Sequence, residues 1–418
     1  MLKGKKKSVF VILDGASDRP TKELQNRTPF QIAFKPNLDK FAEEGRCGMH
    51  YPIKKGFAPE SDAAVMALLG YDPDKYATGR GPLEAYGAEV SFKRGDLALR
   101  ANFATLKGKK KLVDRRVGRT LTSAESEILA RAINKKVKLG FPFIFKNTIE
   151  HRGVLVVKGH FSDNVTNVDP GYRKRGKYTS AVKAKQEVQI AKALDDDEVT
   201  QLTANLINNF VEQSNKVLRK HPLNLSRIRN GLMPANIVIT RNAGIELPHF
   251  PKRSKKWLAF SSMPLEIAIA KLSGMDVSKF HYPEMISANV YKNLYYSLKN
   301  YLQFVKKKMV ENWNKYDAFY IHVKETDVPG HDGQPVHKKK MIEMIDEILF
   351  SFLAKRNINL CVTSDHSTPC DMKMHSGDAI PFLVYGKGAD KVKLFDEKSC
   401  AKGSFGKRYA KEVLRLAF

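Results

Sequence analysis

The 418 residues contain no apolar run near the roughly 20 residues that a membrane-spanning helix needs. At the start, Lys5-Lys6-Lys7 precede Val9-Phe10-Val11-Ile12-Leu13, a pattern that superficially resembles a leader. The apolar piece is too short for that and Asp14-Gly15 ends it, so a buried first strand is expected instead. Cysteine is scarce. Cys47, Cys361, Cys370 and Cys400 form no CxxC pair, which excludes a disulfide framework and a zinc knuckle and fits a reducing cytoplasm. No internal repeat and no low-complexity linker interrupts the chain. Acidic residues are in deficit, with 44 Asp and Glu against 72 Lys and Arg, a formal charge of +28. The basic runs, among them Lys109–Lys111, Arg173–Lys177 and Lys338–Lys340, are scattered and lack interleaved aromatics. That excludes a stacking platform for single strands and favours a solvated lysine-rich surface that steers a small anionic substrate. No membrane and no specific nucleic acid is expected as a partner, and oligomerisation is left open.

What is present is enough for a packed core, with 42% hydrophobic residues in a length that suits one large or two medium domains. Val9–Leu13 reads as a central strand. The last third alternates helix and strand: helix Lys292–Trp313, strand Ala318–Val323, helix Lys338–Ala354, strand Asn359–Thr363, then the apolar run Pro381–Tyr385. Such alternation predicts an α/β fold with a mostly parallel sheet flanked by helices. Between about Tyr71 and Leu225 the texture is basic and polar, with strand-like pieces at Ala98–Leu106 and Gly153–Lys158 and helices at Ser123–Ile133 and from Asp195–Glu198 to about Leu218. An inserted, smaller α+β domain is expected over 72–225, and a core over 1–71 and 226–418.

Ligands in open α/β sheets gather beyond the carboxyl ends of strands. Asp14 follows Val9–Leu13; Asp327 and His331 follow Ala318–Val323; Asp365 and His366 follow Asn359–Thr363; His375 lies shortly after. Each alone reads as readily as a cap or turn residue. Together they bring carboxylates and imidazoles to one sheet edge, the ligand types of divalent metals. Two such ions about 4 Å apart clamp a phosphoryl group in flight. Pro329-Gly330 between Asp327 and His331 predicts a loop rather than a shared helix face. Ser61 precedes the apolar helical stretch Ala63–Leu69. It suits both a cap and a metal-activated nucleophile. Gly79–Ala85 reads either as a turn or as the seat of a phosphate-gripping Arg80.

These residues carry a resemblance. Leu13-Asp14-Gly15 with Asp18-Arg19-Pro20, Ser61-Asp62, Leu69–Pro73, Gly79–Ala85, Pro234-Ala235-Asn236, His322-Val323-Lys324, Thr326-Asp327, Gly330–Gly333, Ser364–Cys370 and His375–Asp378 resemble the archaeal-type 2,3-bisphosphoglycerate-independent phosphoglycerate mutases of the alkaline phosphatase superfamily. The resemblance spans nearly the whole chain. It implies an alkaline-phosphatase-like core and two divalent metals, usually manganese, with magnesium, zinc or cobalt as substitutes, and no 2,3-bisphosphoglycerate. One metal would be held by Asp14, Ser61, Asp365 and His366, the other by Asp327, His331 and His375. Ser61 would carry a phosphoserine between 3-phosphoglycerate and 2-phosphoglycerate, a step of glycolysis and gluconeogenesis. Arg80, Arg119 and Arg152 would hold the substrate's carboxylate and phosphate. Three departures stand out: Ser17 replaces a glycine; Leu265-Glu266-Ile267-Ala268-Ile269 replaces a Lys-Gly pair; and a Thr-Gly segment is absent near Tyr282–Asn289. A lost lysine implies weaker handling of phosphate or glycerate. The alternatives are a related metal-dependent phosphotransferase or phosphohydrolase, and a basic nucleic-acid-binding protein on a catalytically dead scaffold.

Overall fold

Alternate residues of the first strand face two different cores. In β1 (Lys7–Leu13), Val9, Val11 and Leu13 point to one and Phe10 and Ile12 to the other, which is why the run is apolar throughout. The computed structural model describes residues 6–176, 178–182, 186–287 and 289–418. The remaining strands are β2 (Gly45–Tyr51), β3 (Leu97–Lys107), β4 (Lys111–Asp114), β5 (Phe143–Asn147), β6 (Arg152–Val157), β7 (Tyr172–Arg175), β8 (Tyr178–Ala181), β9 (Ile237–Gly244), β10 (Trp257–Ser261), β11 (Asp276–Lys279), β12 (Ala318–Val323), β13 (Ile358–Thr363), β14 (Ile380–Tyr385) and β15 (Lys407–Tyr409).

Eight strands form the main sheet in the order β11-β10-β12-β1-β13-β14-β2-β15. All neighbours are parallel except β14, which runs antiparallel to both β13 and β2. The expected α/β class with a mostly parallel, helix-flanked sheet therefore holds. One face is covered by helices Val290–Glu311 and Pro335–Ile345, and the other by Ser61–Leu68, Pro264–Leu272 and Ala410–Ala417. Burying each large apolar side chain in such a layer is worth about 1.5–3 kcal/mol. Because β12, β1 and β13 are adjacent and parallel, their carboxyl ends open at one place.

A second sheet is antiparallel, in the order β4-β3-β6-β5, with β9 on the other edge of β3. Helices Ser123–Lys136 and Glu198–Arg219 pack on one of its faces around Leu129, Ile207 and Phe210. The expected boundary at 225 is too early. Ile237–Gly244 pairs with Phe103 and its neighbours in β3, so the chain returns to the main sheet only after Gly244. The apolar start of β9, Ile237-Val238-Ile239, would suit either sheet, because both bury such runs. Gly79–Ala85 also differs from a turn: Arg80–Gly87 is a helix. It is wedged between the two halves of the molecule. A Cβ on Gly81 would lie 2.0 Å from the Ala98 carbonyl oxygen of β3, and one on Gly87 would lie 1.8 Å from the carbonyl oxygen of Pro264. Only glycine permits that double approach.

Among the described residues no helix is long and apolar enough to cross a membrane.

Candidate metal centre and its arginine wall

The three central strands deliver their acids as the sequence predicts. Asp14, one residue past β1, is fully buried, as are Asp365 and His366 past β13. The Asp14 loop is shaped by Gly15, at φ +56°, where a Cβ would lie 2.4 Å from Asp327 Oδ1. Its carbonyl is held at 3.0 Å by the buried ammonium of Lys338, which also grips the Thr368 carbonyl and Asp18. Ser17, one of the departures, adapts without strain. Its hydroxyl donates to Glu397 at 3.2 Å and its carbonyl accepts from Ser367 and Thr368.

Asp327 and His331 do not lie on a loop. Asp327–Asp332 is a short helix, and His331 Nε2 stands 3.3 Å from Asp327 Oδ2, one turn away. Pro329 sits in the first turn, where no amide is needed for helical bonding, and Gly333 at φ +70° ends it.

All seven predicted ligand residues meet. Ser61, at the first position of helix Ser61–Leu68, places Oγ 3.2 Å from His366 Nε2. The same nitrogen is 3.4 Å from Asp14 Oδ1 and 3.3 Å from Asp365 Oδ2. The His366 ring stacks on His375 at 3.6 Å between centroids, and His375 lies beside Asp327 at 3.9 Å and beside the His331 ring at 5.2 Å. Each imidazole is tied at Nδ1. His331 bonds to the Lys373 carbonyl, His375 to that of Pro59, and His366 to the hydroxyl of Thr368, which itself donates to Asp327. With Nδ1 donating, Nε2 of all three is left as a free lone pair aimed inward, as a metal ligand requires.

Two subclusters stand out. Ligand atoms of Asp327, His366 and His375 lie within 4.8 Å of one another, and so do those of Asp14, His322 and Asp365. His322 was not foreseen as part of the site. It sits within β12, bonds Asp14 Oδ2 at 2.9 Å and is backed by the Tyr320 hydroxyl at 2.8 Å. His366 lies between the two subclusters rather than with Asp14 and Asp365 alone.

The electrostatics call for cations. Burial, and behind it the neighbouring Asp14, push the Asp365 carboxyl up to about 8. Burial also raises Asp14, but the Lys324 ammonium touching it and the bond from His322 outweigh that and hold it far below the usual carboxylate range. Burial keeps His366 and His375 neutral by lowering both. Asp14 Oδ1 and Asp365 Oδ2 are buried without a hydrogen-bond partner among the described residues. Two facing carboxylates with orphaned oxygens, ringed by neutral imidazoles, form a donor set that fits divalent metal ions.

Opposite this acid cluster stands a basic wall. The cavity above Ser61, Asp327, His331 and His375 is lined by Arg80, Arg119 and Arg152, the expected arginines, and also by Arg100, Arg115, Arg116 and Arg241. Several are already engaged. Arg80 is buried between Glu60 at 3.3 Å and Glu84 at 2.8 Å. Arg115 makes a two-point pair with the fully buried Asp169, which also holds Arg241 at 2.7 Å. Arg119 reaches from the insert to Asp332 at 3.0 Å, and the Tyr291 hydroxyl donates to the same carboxylate. The side chains of Arg116 and Arg152 have no ionic or hydrogen-bonded partner among the described residues. Burial and crowding by Arg119 lower Arg116, a sign of uncompensated positive charge. Arg100 and Arg241 carry one signal in the sequence: each is a cation within a buried strand, next to a run of apolar residues. Buried Glu266 faces Lys324 Nζ at 3.2 Å, so the residue just past β12 supplies a cation at the site while the helix Pro264–Leu272 supplies an acid.

Residues 42–224 match the family described as 2,3-bisphosphoglycerate-independent phosphoglycerate mutase. The mutase of that name from Aeropyrum pernix is 36% identical over 96% of both chains, and that from Methanosphaera stadtmanae is 37% identical over 98% of this chain and 97% of its own. Among solved structures, PH0037 from Pyrococcus horikoshii superposes with a TM-score of 0.76 at 29% identity, over 99% of this chain and 96% of that one. The cofactor-independent phosphoglycerate mutase from Thermoplasma acidophilum gives 0.58 at 31% identity over 99% of both. By identity along nearly its whole length, the chain belongs to the 2,3-bisphosphoglycerate-independent phosphoglycerate mutases, a family of isomerases.

Proposed function

We propose that this chain interconverts 3-phosphoglycerate and 2-phosphoglycerate through a phosphoserine at Ser61. The observation that carries the reading is the placement of Ser61 Oγ, 3.2 Å from His366, between a buried carboxylate–imidazole cluster and an arginine-lined cavity. Two divalent ions, manganese by preference with magnesium, zinc or cobalt as substitutes, would be held by Asp14, Ser61, Asp365 and His366 and by Asp327, His331 and His375. Bound there, they would lower the pKa of the serine hydroxyl and neutralise the phosphoryl oxygens.

The chain's own groups do the rest. Arg152 and Arg119 hold the carboxylate and phosphate of the substrate, and Arg80, braced by its two glutamates, shapes the wall. Ser61 Oγ bonds to phosphorus as the bond to the 3-oxygen breaks, and the serine proton ends on that oxygen. The glycerate turns. Its 2-hydroxyl then bonds to phosphorus, Oγ leaves, and the 2-hydroxyl proton returns to serine. No second phosphoglycerate is consumed, because the phosphoryl group goes back to the molecule it came from. The insert covers the site, with Arg119 latched to Asp332, and excludes the water that would hydrolyse the phosphoserine. Four buried free thiols are consistent with a cytoplasmic enzyme.

The test is turnover of 3-phosphoglycerate by the manganese-loaded protein without 2,3-bisphosphoglycerate, beside Ser61→Ala. Isomerisation lost in the variant is expected. Serine-dependent phosphate release without isomerisation would instead establish a phosphohydrolase.

A further inference from the structure

Beside the catalytic cavity lies a second chamber that shares a wall with it. Arg119, Arg152, Lys324 and Asp327 line both. Away from that wall the second chamber becomes largely apolar, with Met285 and Leu294 among its surfaces. Glu325 lies in its lining at 2% exposure. Among the described residues neither of its carboxylate oxygens is paired in full hydrogen-bonding geometry, although the Tyr282 phenol and the amides of Lys324 and Glu325 stand near enough to bear on its charge. The Tyr282 phenol accepts from Ser262 at 3.0 Å, and its single proton can serve one Glu325 oxygen at most.

A buried carboxylate short of donors is costly, and such a group is kept where a ligand supplies what is missing. The missing partner is a donor. It is not a free cation, because two arginines and a lysine stand at the shared wall. An anionic molecule that also carries a hydroxyl satisfies both halves: its charge at the arginines, its O–H on Glu325.

We propose that Glu325 is the hydroxyl acceptor of this site, and that the second chamber takes the alcohol-bearing end of a small phosphate ester anchored at the arginine wall. The identity of that ester rests on the mutase reading above; the hydroxyl preference does not. In the isomerisation the glycerate exchanges its 3-oxygen for its 2-oxygen at phosphorus. A fixed acceptor at the side of the cavity holds the free glycerate while it turns and rejects bare phosphocarboxylates.

The experiment measures binding, not turnover. In the manganese-loaded Ser61→Ala protein, dissociation constants are determined for 3-phosphoglycerate and for 3-phosphonooxypropanoate, which lacks only the 2-hydroxyl. The expected preference for the hydroxyl-bearing ligand is about 10- to 100-fold, the effect of a hydrogen bond to a charged group. Adding Glu325→Leu is expected to weaken 3-phosphoglycerate alone and bring the two constants within about threefold of each other. Glu325→Gln, of the same shape and with one acceptor oxygen, is expected to fall between and decides the matter if the leucine variant does not fold. An unchanged ratio, or an equal loss for both ligands, overturns the proposal. Absence of wild-type isomerisation with the ratio intact overturns the mutase reading alone.

Discussion

Two surfaces face each other across the cavity, and they hold opposite surpluses. The main-sheet side gathers Asp14, Asp327 and Asp365, and among the described residues Asp14 Oδ1 and Asp365 Oδ2 are orphaned. The insert side gathers arginines, of which Arg116 and Arg152 make no direct ion pair among the described residues. Neither is a comfortable arrangement alone, since unpaired buried charge is destabilising. Divalent ions answer the first surplus, and a phosphate ester carrying a carboxylate answers the second. The two sides also differ in construction. The acids come from positions beyond the ends of three adjacent strands, Asp14 and Asp365 on loops and Asp327 at the start of a short helix, and are oriented by short-range bonds. The arginines come from β3, β6, β9, the helix Arg80–Gly87 and the segment after β4, and a single acid, Asp169, ties two of them together.

The sharpest way to separate the two surfaces is to remove the group on which both converge. Ser61→Ala is expected to lower kcat/KM for 3-phosphoglycerate by about 10⁴-fold or more, as loss of a nucleophile does. Calorimetric binding of two metal ions is expected to persist, weakened at one site. Isomerisation within tenfold of the parent would show that the two surfaces work without a phosphoserine.

That convergence was partly legible in the sequence. A short apolar run followed at once by Asp or Asp-His is a strong pattern, because parallel strands bury both faces and stop abruptly at the ligand edge. Asp14, Asp365 and His366 were found that way. The helical turn Asp327–Asp332 was hidden by Pro329-Gly330, residues that mark loops by propensity but tolerate a first turn. His322 was hidden inside a strand rather than after one. On the insert side little could be read, because Arg100, Arg115, Arg116 and Arg241 are drawn together only by antiparallel pairing of β3 with β9 and by Asp169, and in a chain of +28 an arginine carries little information by itself. The late end of the insert was missed for the same reason: β9 is apolar like a core strand, and only its partner reveals which sheet it joins.

Breaking the insert while sparing the core is the next largest effect. Asp169→Asn leaves Arg115 and Arg241 without their shared carboxylate and is expected to destabilise the protein by about 3–5 kcal/mol. Denaturant unfolding followed with metal titration checks it. Metal affinity in the still-folded fraction is expected to be unchanged. A parallel loss of metal affinity would mean that the basic wall positions the acids and that the two surfaces are one unit.

Within the wall, free and engaged arginines are expected to differ. Arg152→Gln is predicted to raise KM by about 10- to 100-fold with little change in melting temperature, because its guanidinium spends nothing on the protein. Arg80→Gln is predicted to lower the melting temperature as well, since Glu60 and Glu84 lose their partner. Equal stability losses would show that Arg152 is structural.

The smallest effect concerns protons on the acid side. Asp365, with its usual value of 3.8 raised to about 8 by burial and by Asp14, is protonated at neutral pH in the metal-free protein. A raised carboxyl means that the folded state resists ionisation, so metal-free stability is expected to fall as pH rises from about 4 towards 8. A metal requires the carboxylate, so binding must expel that proton. Apparent metal affinity is therefore predicted to climb about tenfold per pH unit below 8 and to flatten above it. His366 and His375 add no slope above about pH 6.5, the ordinary value for histidine, because burial has already lowered both. Titrations at fixed ionic strength from pH 6.5 to 9 check this, with Asp365→Asn as control. That variant is expected to bind weakly with a flat profile. A flat profile in the unaltered protein would mean that Lys324 and His322 already neutralise the pair, and that the acid surface, unlike the basic one, is balanced before any ligand arrives.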